Sequence, residues 1–125
     1  MAIVDIRSVA PVSWGAGCTA WPLTEGPELS VKLEEMPPGT AEQRHRHARA
    51  RQLFFVLSGL LEMELAGTVF EIGAEQALEV PPGAPHQARN PGRDPVRFLV
   101  ISSPPTSRDR QEVTAPSSPM DDEST

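Results

Sequence analysis

Between residues 28 and 102 apolar residues come in short runs, without the i, i+3, i+4 spacing of an amphipathic helix. Leu29, Val31 and Leu33 alternate with Ser30, Lys32 and Glu34 up to the turn sequence Pro37-Pro38-Gly39, the period-two pattern of a half-buried strand. The segments QLFFVLSG, LLEMEL, TVFEIG, ALEVPPG, HQARNPG and VRFLVIS follow, each rich in strand-forming residues and bounded by Gly, Pro or Asn. So many short strands at close spacing predict an all-β sandwich or barrel. Fourteen prolines and nine glycines leave no window for a well-formed helix. Ser58-Gly59 and Ala66-Gly67 sit where tight turns join antiparallel neighbours, so hairpins are expected at both.

The 125 residues allow one compact core. Residues 28–102 are assigned to the barrel. Residues 1–27 form an N-terminal arm whose Trp14 and Trp21 offer large apolar surfaces. That arm packs across the barrel or a second subunit, or is a partly ordered leader. From residue 103 onward the chain is poor in apolar residues and rich in Pro, Ser, Thr and charge, so 103–125 reads as a disordered tail or a surface-draped arm.

Charge narrows the partners. The net charge of −6 argues against nucleic acid, which is bound through a basic field. Arg44, Arg46, Arg49 and Arg51 bunch closely enough to attract a small anion, although Arg46 and Arg51 read most simply as solvated outer-face charges. The single cysteine, Cys18, excludes an intramolecular disulfide and a cysteine-built metal site, which fits a reducing cytoplasm. No signal-like start and no membrane span is expected.

The chemistry concentrates at HRHARARQLFFVLSG, residues 45–59. On a strand, His45 and His47 point the same way while Arg44 and Arg46 point the other. Gln52 has the wrong parity for the same strand, but a bend at Ala48–Arg51 would hand the chain on and bring Gln52 in from one side. His86 follows the turn sequence VPPGAP and would enter another inward-facing strand with Ala88 and Asn90. Three imidazoles and an amide oxygen are donors for a divalent ion.

These positions resemble the cupin superfamily. Gly39, His45, His47 and Gly59 match the spacing of its first motif, with Gln52 where the motif has glutamate. Pro81, Gly83, His86 and Asn90 match the second motif, whose opening glycine is replaced by Glu75. The resemblance covers about residues 28–102 and implies a double-stranded β-helix, a jelly-roll-like barrel of two packed antiparallel sheets. It further implies a metal held by His45, His47, Gln52 and His86, and homodimerisation. Gly39, Gly59, Pro81 and Gly83 are architectural, and Asn90 is a hydrogen bonder at a turn or strand end.

An amide in place of a carboxylate leaves all four ligands neutral, so the ion (Zn, Ni, Mn or Fe) keeps its full charge and its Lewis acidity rises. Two open octahedral positions would accept a bidentate keto- or hydroxy-acid. The expected function is therefore metal-dependent isomerase, tautomerase or lyase chemistry on a small, oxygen-rich anion. The ligand set is similar to that of pectin-pathway cupins that tautomerise unsaturated uronates, although the residues leading up to Gln52 differ from theirs. The alternatives are a mononuclear dioxygenase, since several cupin dioxygenases lack a carboxylate ligand, and a non-catalytic cupin binding a small ligand. A proton-moving reaction needs a base, for which Glu35, Glu62, Glu64 and metal-bound hydroxide are the candidates. Glu35 shares strand parity with Leu29, Val31 and Leu33; for all three glutamates the simpler reading is solvent exposure.

Overall fold

The computed structural model describes residues 3–114, and among them the only helical element is a 3-10 turn, Ile6–Ser8, capped by the Asp5 carboxylate. None is long and apolar enough to cross a membrane. Twelve strands form two sheets, as expected of an all-β barrel. The first sheet runs β1 (Val12–Trp14), β2 (Cys18–Glu25), β3 (Ser30–Met36), β11 (Val96–Ser103), β6 (Arg51–Ser58), β9 (Ala77–Val80). The second runs β12 (Arg110–Glu112), β5 (His45–His47), β10 (His86–Asn90), β7 (Leu61–Leu65), β8 (Thr68–Ile72), with β4 (Thr40–Ala41) also paired to β10. All paired strands are antiparallel.

The core lies between the sheets. Phe54, Val56, Val80, Val96, Phe98 and Val100 from the first sheet meet Leu61, Met63, Ile72 and Ala88 from the second. In antiparallel pairing, residues opposite one another share a face. Val96, Phe98, Val100 and Ser102 stand opposite Met36, Glu34, Lys32 and Ser30, so the inner face of β3 is Ser30, Lys32, Glu34 and Met36. The strand expected from Leu29 up to the Pro37 turn is present as β3, but its apolar set is on the outer face, where Leu33 lies between Leu99 and Trp21. Both faces of this sheet carry apolar side chains, Leu33 and Leu99 on the outer one and Phe98 and Val100 on the inner, so alternation revealed the strand and not which side is the interior.

Only one of the two expected hairpins forms. Ala66 and Gly67, at φ 49° and 93°, turn β7 into β8, the left-handed pair that a tight hairpin needs. Ser58-Gly59 is instead a corner between sheets, because β6 pairs with β11 and β9 while β7 pairs with β10 and β8. A Cβ on Gly59 would lie 2.5 Å from the Pro95 carbonyl oxygen, so the corner requires glycine at this approach.

Both flanking segments join the barrel. β1 and β2 extend the first sheet beyond β3. The segment after residue 102, where disorder or a surface-draped arm was expected, returns along the second sheet and pairs β12 with β5. Its polar composition is compatible with order because it adds an edge strand and hydrogen bonds instead of apolar core. Residues 115–125 of that expected tail lie outside the described residues.

Candidate metal centre

β5 and β10 place the histidines. His45 stands directly opposite His86 in the antiparallel register, and His47 follows two residues later on the same face. The ring centroids of His45 lie 4.8 Å from His47 and 4.4 Å from His86, and the candidate ligand atoms of the three all fall within 4.8 Å of one another. All three side chains are buried. After His47 the chain crosses between sheets, and Gln52 enters on the inner face of β6, in register with Ser102. The bend expected between His47 and Gln52 is thus a sheet-to-sheet crossing.

The hydrogen bonds prescribe which ring nitrogens are free. His45 Nδ1 lies 2.8 Å from the Gln43 carbonyl oxygen, His86 Nδ1 lies 3.0 Å from that of Ala84, and His47 Nδ1 lies 2.8 Å from Asp109 Oδ1. Each partner only accepts, so each Nδ1 carries the proton and each Nε2 presents a lone pair. Burial lowers all three pKa values, that of His45 to about 3, and keeps the rings neutral. Gln52 Nε2 donates to Ser102 Oγ at 3.2 Å, which orients the amide. Gln52 Oε1 and His86 Nε2 are then buried without a protein partner. Buried polar atoms are costly to leave unpaired, so neutral acceptors left free in one place fit a cation.

Asp109 was missed in the sequence because it lies in the segment read as a tail. Burial raises its pKa, but N–H donation from Ala50 and Arg49 and the hydrogen bond to His47 outweigh that and hold the carboxyl below its usual range. One oxygen orients His47 and the other pins the crossing that leads to Gln52. Replacing such a partner typically costs about 10–100-fold in metal affinity. Asp109→Asn should therefore weaken metal binding by about that factor in a chelator competition titration; unchanged affinity would leave Asp109 with a purely structural role.

The three glutamates proposed as bases are placed elsewhere. Glu35 is on the outer face of β3 and pairs with Arg97 at 2.9 Å. Glu62 pairs with Arg89 at 2.9 Å. Glu64 is buried, not exposed, and accepts two hydrogen bonds from Arg44, at 2.6 and 3.0 Å, plus one from the Gly67 N–H. Arg46 and Arg51 are exposed as expected, whereas Arg44 is buried with Glu64. Asn90 donates to the Met36 and Asp94 carbonyls and accepts from Gly92, the strand-end role expected of it.

The carboxyls that face the cavity are Glu34 and Glu42. A chamber of about 130 Å³ is lined by His45, His47 and Gln52 together with Lys32, Glu34, Glu42 and Arg110. Burial raises the Glu34 pKa to about 7, against the pull of Lys32 and Arg110. Burial likewise raises Glu42 to about 8, although its carboxylate accepts from the Ala88 N–H. The signal that could have found Glu34 is its shared strand parity with Met36, which becomes readable only once the inner face of β3 is known.

Similarity to known proteins agrees with this architecture. The polyketide synthase CurC of Streptomyces cyaneus is 29% identical over 106 residues, 82% of this chain and 69% of that protein. Among solved structures, the polyketide cyclase RemF of Streptomyces resistomycificus superposes with a TM-score of 0.79 at 21% identity, covering 100% of this chain and 94% of that one. KdgF of a Halomonas species gives 0.78 at 20% identity, covering 86% and 96%. At these identities the two structures speak for the fold alone. The cupin-domain family description matches residues 32–102, more than half the chain and the span holding all three histidines and Gln52, and on that match the chain belongs to the cupin family.

Proposed function

We propose that the protein is a metal-dependent enzyme in which His45, His47, His86 and Gln52 hold one divalent ion and Glu34 moves a proton on an oxygen-bearing substrate. The observation that carries this reading is the prescribed polarity of the site: three Nδ1 atoms committed to acceptors, and Gln52 Oε1 and His86 Nε2 buried without partners. Zn, Ni, Mn or Fe all suit a set of three imidazoles and one amide oxygen. When bound, such an ion polarises a carbonyl or stabilises developing negative charge on oxygen.

The chain's own residues do the rest. Phe54 and Val100 add apolar surface to an inner chamber otherwise lined by polar and charged side chains. Lys32 and Arg110 place positive charge at the same wall and favour an anionic substrate. The Glu34 carboxyl has no hydrogen-bond or ion-pair partner among the described residues, and its raised pKa lets it accept and return a proton near neutrality. Isomerisation, tautomerisation or lyase chemistry needs those functions together. Sequence similarity to a protein named a polyketide synthase supports catalysis over passive binding.

Elemental analysis of protein purified without added metal tests the assignment. About one equivalent of a divalent transition metal is expected; Gln52→Glu should keep it and His47→Ala should lose at least about tenfold in occupancy. Protein with no metal and no uptake, or His47→Ala with wild-type content, defeats the ligand set.

We also propose a homodimer formed through the outer face of the first sheet. Trp21, Val31, Leu53, Phe55, Leu99 and Ile101 lie only half-buried there around Leu33, an apolar surface of the kind that marks an interface. Light scattering should return twice the chain mass for the protein and one chain mass for Leu99→Glu; an unaltered mass in that variant would place the contact elsewhere.

A further inference from the structure

A second chamber lies outside the first. It has a volume of about 470 Å³ and shares Lys32, Glu34, Glu42 and Arg110 with the histidine chamber, so the two adjoin at these four charged side chains, which form the throat between them. Its size lies in the range of small-molecule sites, of order 300–1,000 Å³, while the inner chamber is too small for more than a head group. Beyond the throat one wall is apolar: Val12, Trp14, Ala20 and Pro22. The register explains it. Val12 pairs with Ala20, Ala20 with Glu34, and Pro22 with Lys32, so the inner face of the first sheet continues through β2 and β1 past the end of the histidine site. The N-terminal arm therefore builds a wall for the chamber. Trp14 adds a further mark: its indole N–H is shielded and has no acceptor among the described residues, an arrangement that a ligand oxygen would satisfy.

We infer that the outer chamber binds the apolar, planar body of the substrate, with the oxygen-bearing head reaching through the throat to the histidines. The substrate class is then an aromatic or extended conjugated molecule with a hydroxy-acid or keto-acid head, not a small hydrophilic acid. This rests on the function proposed above for the head group. The body's site rests only on β1, β2 and the throat. Shape and apolar contact would supply affinity there, and the throat charges would fix direction.

Calorimetric titration with two acids that share a head tests the inference. 3-Hydroxy-2-naphthoate carries a planar two-ring body; 3-hydroxypropanoate carries the head alone. The naphthoate should bind at least about tenfold tighter. Trp14→Ala should cut its affinity at least about fivefold. Val12→Asp, at a position already 52% exposed and so tolerant of a polar side chain, should do the same. Neither variant should change metal content or binding of 3-hydroxypropanoate. Equal affinity for the two acids, or a preference that survives both substitutions, overturns the chamber assignment. Metal content measured on the same samples separates the two claims: a metal-free protein that still prefers the naphthoate refutes the ion and supports the chamber.

Discussion

Arg44→Met should destabilise the fold by about 3–5 kcal/mol, out of a total that for a domain of this kind is about 5–15 kcal/mol. Arg44 and Glu64 are each only 7% exposed at the side chain and meet through two parallel N–H···O bonds, and the remaining Arg44 amine donates to the Thr114 carbonyl at 2.7 Å. Removing the guanidinium leaves a buried carboxylate with the Gly67 N–H as its remaining donor. The Arg44 hydrogen bond is the chief cause of the lowered Glu64 pKa. A carboxylate depressed in this way contributes stability above its unfolded value of 4.5 and loses it as pH falls through the folded value. The gap between wild type and Arg44→Met should accordingly narrow in acid. Adding Glu64→Leu to Arg44→Met should recover most of the loss, since an apolar pair needs no compensation. Urea unfolding at neutral and acid pH measures all three; a single-variant loss below about 1 kcal/mol would mean that the pair is effectively solvated.

Glu34→Gln should lower kcat by about 10²–10⁴-fold while leaving metal content unchanged. Assays would come from keto-acids and unsaturated uronates together with conjugated acids of the kind inferred for the outer chamber. If Glu34 acts as a base it must be ionised, so wild-type activity rises with pH through about 7, and that limb should vanish in the variant. The titratable and charged groups that share its chamber are Lys32, Glu42, His45, His47 and Arg110, and burial raises Glu42 to about 8. A profile that keeps its lower limb in Glu34→Gln and loses it in Glu42→Gln would transfer the role to Glu42. Because Glu42 Oε1 lies 4.0 Å from His45 Nδ1, a change there should also disturb metal affinity. Glu34→Gln should not.

Strands β3 and β5 to β11, the family and the ligand set proposed above were legible along the chain, whereas β1, β2, β4 and β12 were not. Turn residues and period-two runs specify strands locally, and His45, His47, Gln52 and His86 sit at offsets that a two-motif barrel brings together. Direction and closure came from pairing across the fold. Leu33 and Glu34 alternate in the same way whichever of them faces inward, and register against Leu99 and Phe98 settles it, so the carboxyl in the cavity is Glu34 and the ion-paired one is Glu35. Gly59 reads like a hairpin glycine, yet its neighbour in space is Pro95, which turns the chain into the other sheet. Asp109 belongs to a polar stretch with no periodicity, and becomes the partner of His47 because β12 pairs with β5. Periodicity reports contacts between near neighbours along the chain; side choice, corners and returning edges are set by pairing between residues far apart in it.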